Sequence, residues 1–434
     1  MGGGWLSKKP FWISLALLPA VFALAGLAAL HGLSGCGRHS EKAAVEQATS
    51  GVTDDTIVLG SSLALSGHAS YLGTQTLRGA LSYLNHVNES GGVHGRRLKL
   101  VSYDDSYDPP RCLANTQRLI IEDKVFALFS YVGTPTTVKI LPLLEDAQIP
   151  LLGMFTGANA LREPFNRYII NIRASYYQET AAAVRHLVKD LGLKRIAVFY
   201  QYDAYGFDGL TGTELALKEF GLEPVARGSY VRGTLDVEEG LTKIEDSRAE
   251  AVVMIGTYDP CARFIQLAQA GGFSPIFYTV SFVGAEELAR RLAEGAGAEP
   301  APLVVMSQVV PPTEGSDARK FSGGAQEYVE LLARYYPDDK PNSVGLEGYY
   351  NARILVEGLK RAGRNLTRES FIKAIDSIRD YELGPGQTVS FGPENHQGME
   401  RVYFTQLKEG RFTLVESWLE VLAEFRRLRG KDAP

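Results

Sequence analysis

The stretch from Thr56 to Pro110 reads TIVLGSSLALSGHASYLGTQTLRGALSYLNHVNESGGVHGRRLKLVSYDDSYDPP. Ile57-Val58-Leu59-Gly60 is a short apolar run of strand character. Thr74 to Asn88 follows, with Leu77, Ala80, Leu81, Leu84 and Val87 three or four residues apart, the spacing of one helical face. Gly91-Gly92 ends that helix, and Arg97 to Tyr103 is the next strand. Strand, helix and strand in this order make a βαβ unit, which implies a parallel sheet and a right-handed crossover.

Working outward, the same rhythm continues. Helix Arg111–Asp123, strand Val125–Tyr131, helix Thr136–Ala147 and strand Ile149–Phe155 follow. After Arg173 it restarts, with strands at Arg195–Tyr200, Pro224–Tyr230, Ala251–Tyr258, Pro275–Phe282 and Pro302–Val309 between helical stretches. Later segments at Phe321–Tyr336, Leu346–Ala362 and Arg368–Ile378 have helical spacing. Thr388–Ser417 alternates as two strands around Lys408-Glu409-Gly410, and Trp418–Arg429 is a final amphipathic helix. The strands are continuous apolar runs, as expected of sheets covered on both faces. The fold class is α/β. A chain of this length divides more readily into two lobes than into one continuous sheet.

Composition removes several functions. Lys and Arg total 45 against 50 Asp and Glu, a net charge of −5 that argues against a nucleic-acid partner. Three cysteines among 434 residues are too few for a disulfide scaffold or a four-cysteine zinc site. The phosphate-binding P-loop, the His-Glu-x-x-His helix, the Gly-x-Ser-x-Gly elbow and Cys-x-x-Cys are all missing. Asp104-Asp105 admits acid/base or metal chemistry, or simple loop capping. His68 with Ser66 is a local pair suited to a turn. No enzymatic constellation emerges and no cofactor is implied.

The N-terminus carries its own message. Lys8 and Lys9 precede an apolar run from Phe11 to Leu30, and Leu33-Ser34-Gly35-Cys36 follows. That order is a secretory leader, and the tetrapeptide resembles the bacterial lipoprotein signal, in which the Cys is lipidated. A single transmembrane anchor is the other reading. Either places the body outside the cytoplasm. The residues from 37 to 51 are small and polar, suited to a flexible tether.

One ordered set of residues carries a resemblance: Leu65-Ser66-Gly67, Gly73, Gly79-Ala80, Asn85, Gly91-Gly92-Val93-His94-Gly95-Arg96, Leu98, Leu100 and Tyr103 to Pro109. It resembles the leucine/isoleucine/valine-binding protein family, the type I periplasmic binding proteins of ABC importers. Thr156-Gly157-Ala158, Asp203-Ala204-Tyr205-Gly206 and Gly256-Thr257-Tyr258-Asp259-Pro260 extend the likeness over residues 55–415. The resemblance implies two Rossmann-like lobes with parallel sheets, joined by a three-crossover hinge and closing like a flytrap. Crossovers are expected near Arg173, Thr279 and Gly384. The resulting map is leader 1–35, tether 36–52, first lobe 53–172 plus 281–383, second lobe 173–280 plus 384–417, and a C-terminal helix and tail over 418–434.

The resemblance also implies site residues. The loop from Ser66 to Gly73 offers Tyr71 as an aromatic wall. Gly133 and Thr134 match the family's carboxylate-gripping turn; a hydroxyl with free backbone N–H groups suits an anion, and a plain helix cap is the other reading. Phe155, Thr156 and Gly157 match the next carboxylate-binding stretch, where Phe155 narrows the pocket or adds an aromatic face. Tyr205 and Tyr258 match aromatic positions of the second lobe. Cys261 stands where the amino-acid binders have a Glu for the ligand ammonium. Asp259 or Glu347 is then left to supply a carboxylate, or the ligand lacks an ammonium. Cys261 is expected to face the cleft. The family's disulfide positions correspond to Tyr107 and Gly133, so that bridge is absent.

The implied function is capture of an amino acid or related small carboxylate for an ABC permease, with the membrane reached through the lipid on Cys36. A receptor that docks on a membrane sensor is the alternative, and a secreted α/β hydrolase a third.

Overall fold

The structure is a computed structural model that describes residues 49–295, 301–312, 324–384 and 386–429. The leader and Cys36 lie outside the described residues. Among the described residues, no helix is long and apolar enough to cross a membrane.

Among the described residues, fourteen strands form two main sheets and a hairpin. The first sheet has the order β2-β1-β3-β4-β5. Its strands are β1 (Thr56–Leu63), β2 (Arg97–Asp104), β3 (Ala127–Phe129), β4 (Leu151–Leu152) and β5 (Ile169–Ile170), all parallel. The second sheet contains β6 (Ile196–Gln201), β7 (Arg227–Tyr230), β8 (Ala251–Ile255), β9 (Ile276–Thr279) and β10 (Val304–Gln308). It is extended by antiparallel β13 (Tyr403–Lys408) and β14 (Arg411–Leu414), in the order β14-β13-β10-β9-β8-β6-β7. Between them β11 (Tyr381–Gly384) and β12 (Gln387–Val389) make a separate two-stranded piece. β8 shows why the sheets are parallel: all five residues, Ala-Val-Val-Met-Ile, are buried, so helices cover both faces.

Several expectations need correction. The second crossover is not near Thr279. β10 pairs with β9, Val304 opposite Phe277, so the chain stays in the second lobe until after Gln308. The third crossover is not near Gly384. Leu383, Val389, Phe391 and Met399 are all buried in the first lobe's core, and the chain re-enters the second sheet only at Tyr403. The tether does not extend to residue 52: Val52 bridges to Ile57, and the Ser50 hydroxyl donates to the Lys124 carbonyl at 3.0 Å. The single helix expected from Thr136 to Ala147 is two, Thr134–Lys139 and Leu141–Asp146, broken at Ile140 before Pro142.

The first helix begins at Ser70, four residues before the expected start, and runs to Glu89. Gly73 therefore sits in its second turn, not in a loop. A Cβ there would lie 2.0 Å from the Ala64 carbonyl oxygen, so the glycine lets the helix press on the end of β1. This helix packs along Ser343–Ala362, where Gly345 and Gly348 meet Gly79 and Thr76 backbone to backbone. The C-terminal helix Trp418–Arg429 is not a free tail. Trp418 stacks on His186 at 4.4 Å, and Val421 and Phe425 are buried in the second lobe's core.

Candidate functional site

The carboxyl ends of the parallel strands in both sheets face one another. That edge is where an open α/β sheet presents its loops to a ligand. From the first lobe come the loops after β1, β2, β3 and β4. From the second come the loops after β6, β8 and β9. The apolar core runs without a break across this boundary, joining Tyr107, Tyr131 and Phe155 to Tyr176, Tyr205 and Phe282.

Phe282 is the centre of the junction. Its ring lies 4.7 Å from Tyr205, 5.5 Å from Phe155, 6.0 Å from Tyr107 and 6.5 Å from Tyr176. All five rings are buried. Offset and edge contacts at these distances stabilise beyond the area they bury. Gly133 allows Tyr107 into the group: its φ is +99°, and a Cβ would lie 2.0 Å from the Tyr107 ring. The two positions matched to the family's disulfide are thus neighbours, and a phenol ring fills the space between them.

Hydroxyls line the first lobe's side. The Thr134 and Thr156 Oγ1 atoms are 2.7 Å apart, both buried. Thr134 is not a cap; Gly133 occupies the N-cap position, and the Thr134 hydroxyl turns to Thr156 instead. Gly157 accepts from the Tyr176 backbone N–H at 2.8 Å, which places the Tyr176 ring beside these threonines. The hydroxyls of Tyr176 and Tyr107 are buried without a hydrogen-bond partner. Leaving such groups unpaired costs about 1–3 kcal/mol each.

Behind the rings a buried charge cluster ties the lobes together. Arg173, at the first crossover, bonds Glu179 at 3.1 Å and Glu347 at 3.4 Å. Glu179 belongs to the second lobe's first helix, Tyr176–Arg185, and Glu347 to the first lobe's helix Ser343–Ala362. Glu179 also accepts from the Ser281 backbone N–H at 2.8 Å, the Ser281 hydroxyl at 2.9 Å and the Ser307 hydroxyl. Glu347 has Arg173 as its acid-base partner, and burial pushes its carboxyl up to about 7 against the pull of that guanidinium. With one cation shared between two buried carboxylates, Glu347 holds its proton more readily than an ordinary glutamate. The Arg173 guanidinium also stands 5.1 Å over Phe155 and 5.7 Å over Tyr176, and its Nε has no partner.

The expected site residues therefore divide. Gly133, Thr134, Phe155, Thr156, Gly157 and Tyr205 are together around the ring cluster. Tyr205 donates its hydroxyl to the Gly256 carbonyl at 3.0 Å, which fixes its edge. Glu347 lies behind the rings, engaged by Arg173. Tyr71 and Tyr258 pair with each other edge-on at 6.2 Å, and Tyr71 lines a separate cavity of about 520 Å³. That cavity also touches Glu286, Arg290 and Ser343; Glu286 is bound to Ser343, and Arg290 pairs with Glu287. Asp259 is paired with Arg291 at 2.8 Å on the second lobe. Cys261 does not face the cleft either. It is fully buried behind Gly256, and burial drives its thiol far up.

Asp104 and Asp105 prove to be loop caps. Asp104 accepts from the Leu65, Ser66 and Ser106 N–H groups, and Asp105 from the Ser62 hydroxyl at 2.7 Å and the Tyr107 N–H at 2.8 Å. Ser66 bonds Asp104, while the His68 ring rests on Tyr107 at 5.4 Å, so the two make no nucleophile–base pair.

Sequence reasoning missed Arg173, Tyr176, Glu179, Phe282 and Tyr107. A lone Arg between the buried runs Ile169–Ile172 and Ala174–Tyr176 was a usable signal for a buried ion pair. Phe282 carried none beyond its place after a strand.

Three comparisons bear on this geometry. Residues 56–411 match the periplasmic binding protein family. A solved structure, a possible leucine/isoleucine/valine-binding protein from Rhodopirellula baltica, is 34% identical with a TM-score of 0.78, covering 85% of this chain and 98% of that one. A leucine binding protein from Thermotoga maritima shares the fold at 20% identity and a TM-score of 0.71, covering 83% of this chain and 98% of its own. Among curated relatives, a Leu/Ile/Val-binding protein homolog from Brucella abortus is 24% identical over 384 residues, 85% of this chain and 94% of the relative. With its two sheets of mainly parallel strands and three crossovers, the chain belongs to the periplasmic binding protein family.

Proposed function

We propose that this protein captures an amino acid or related small carboxylate between its lobes, outside the cytoplasm, and delivers it to an ABC importer. The observation that carries the reading is the set of buried hydroxyls at the strand ends. Thr134 and Thr156 are paired at 2.7 Å, and the Tyr176 and Tyr107 hydroxyls stand unpartnered beside a wall of rings. Such a site offers donors to a carboxylate and apolar faces to the rest of the ligand. Lipidation of Cys36 would hold the protein at the membrane, a reading supported by Leu33-Ser34-Gly35 before it.

A thermal-shift screen of amino acids, amides and aromatic acids tests this. A ligand at 100 times its Kd stabilises by about 2.7 kcal/mol. The melting rise is expected for a carboxylate and should be smaller for Thr134→Val. A rise with sugars or metal cations only, or none with any carboxylate, would contradict the proposal.

A further inference from the structure

We infer that His68 and the turn carrying Arg232 form a clasp between the lobes at the edge far from the hinge, and that protonation of His68 opens it. This rests on the reading that the two lobes move relative to one another to capture and release a ligand.

The strand order sets this contact apart from the crossovers. In the first sheet β5 leads into the first crossover, and β3 and β4 stand between it and β1. In the second sheet β10 leads into the second crossover and the third returns at β13; β9, β8 and β6 separate β10 from β7, which ends the sheet. His68 sits in the short turn Gly67–Ala69 after β1, and Val231 to Thr234 turn back after β7. The two turns meet. Gly233 has a φ of +80°, and a Cβ there would lie 3.5 Å from the His68 ring. Arg232 stands 5.9 Å over Tyr107, the ring on which His68 rests at 5.4 Å. A rotation about the crossovers separates this edge furthest.

A proton on His68 is poorly placed in the closed clasp. Its Nε2 is buried and has no hydrogen-bond partner. The imidazolium carries N–H on both nitrogens, so one of them would be buried without an acceptor. From the first lobe the neighbouring loop brings the Tyr107 phenol and Asp104, which pairs with Arg111 at 3.6 Å and takes three backbone N–H groups. From the second lobe comes Arg232, held by Asp203 at 3.5 Å, and Asp203 also accepts from the Tyr205 N–H at 3.0 Å. Burial, and then the charge of Arg232, hold the imidazole below its ordinary 6.5. Opening returns the ring to water and to that ordinary value. The open form then binds the proton more tightly, so the closed form loses ground as pH falls below about 6.5. Asp208 crosses the boundary on the hinge side, to the Asn159 N–H at 2.9 Å beside Arg162, which bonds the Arg173 carbonyl. Burial raises its carboxyl to about 6, so closure takes up a proton there and works in the opposite sense. A His68 variant separates the two.

Solution scattering and NMR on the purified protein, with no ligand added, decide it. The radius of gyration should be larger at about pH 5.5 than at about pH 8. His68→Gln, which keeps a polar ring-sized group without the charge, should lose that increase. The His68 ring resonances, assigned by their absence in His68→Gln, should titrate below 6.5, move up toward it in Arg232→Gln and stay low in Arg232→Lys. A radius equal at both pH values, or an increase that persists in His68→Gln, overturns the inference. So does a His68 midpoint at or above 6.5, or one that Arg232→Gln leaves in place. None of these measurements contains a ligand, so their failure leaves the small-carboxylate reading standing, and the failure of that reading in the thermal-shift screen leaves them unaffected.

Discussion

The first lobe meets the cleft with hydroxyls, Thr134 and Thr156, set at the ends of short strands. The second meets it with rings, Tyr205 in the first turn of the helix after β6 and Phe282 in a single 3-10 turn after β9. The first lobe also contributes rings, Tyr107 and Phe155, and the second a hydroxyl, Tyr176, but the paired threonines are the first lobe's alone. Hydroxyls demand placement to a few tenths of an ångström, whereas ring contacts tolerate sliding. The two faces must therefore be held in register by something outside both. Arg173 does this, with Glu347 of the first lobe on one side and Glu179 of the second on the other. Even this strut is uneven: the second-lobe carboxylate is saturated and the first-lobe one is not.

The largest break in the comparison should come from the strut itself. Arg173→Met leaves two buried carboxylates without their cation, and removing one partner of a buried pair costs about 3–5 kcal/mol. Urea unfolding should show that loss, and a change below 1 kcal/mol would mean the lobes are held by other contacts.

Next is a pH effect from the weaker arm. The Glu347 carboxyl is raised in the fold to about 7 from an ordinary 4.5. The folded state then binds more protons than the unfolded one between those values, so stability falls as pH rises from about 5 to about 7. At 1.36 kcal/mol per unit, the upper bound on the change is about 3 kcal/mol. Asp105 and Asp208, both raised by burial to about 6, act in the same direction. Melting temperatures should therefore be higher at pH 5 than at pH 7.5, and Glu347→Gln should flatten part of that slope. A Glu347→Gln profile parallel to the wild type would assign the proton elsewhere.

The smallest effect sharpens the boundary of the second face. Asp259 is partly exposed and paired with Arg291, a surface arrangement. Asp259→Asn should change stability by about 0.5 kcal/mol or less and leave ligand affinity unaltered. A tenfold loss of affinity would bring Asp259 back into the site.

The same contrast separates what was legible in the sequence from what was not. Strands such as Ala251–Ile255 declare themselves by a continuous apolar run, and the βαβ rhythm follows. Which sheet a strand joins is not written locally. β10 is a fully buried strand like β8 and β9, and only its pairing with β9 places the second crossover after Gln308. The hydroxyl face was reachable because Thr134 and Thr156 sit in turns of fixed spacing from their strands. The ring face was half reachable: Tyr205 follows a strand in the same way, but Phe282 gains its role only when lobes distant in sequence meet. Tyr71 lies on a helix rather than a loop, because the missing side chain of Gly73 serves helix-to-strand packing and does not mark a loop. In the sequence Arg173 reads only as a crossover marker, since ion pairs to residues 6 and 174 positions away leave no local trace.

The most direct test is a crystal structure of the protein with the acid that raises its melting temperature most. The carboxylate is predicted within hydrogen-bonding distance of Thr156 and the Tyr176 hydroxyl, with its apolar body against Phe282 and Tyr205. Density for that acid in the cavity beside Tyr71, or with its carboxylate away from Thr156 and Tyr176, would contradict the account.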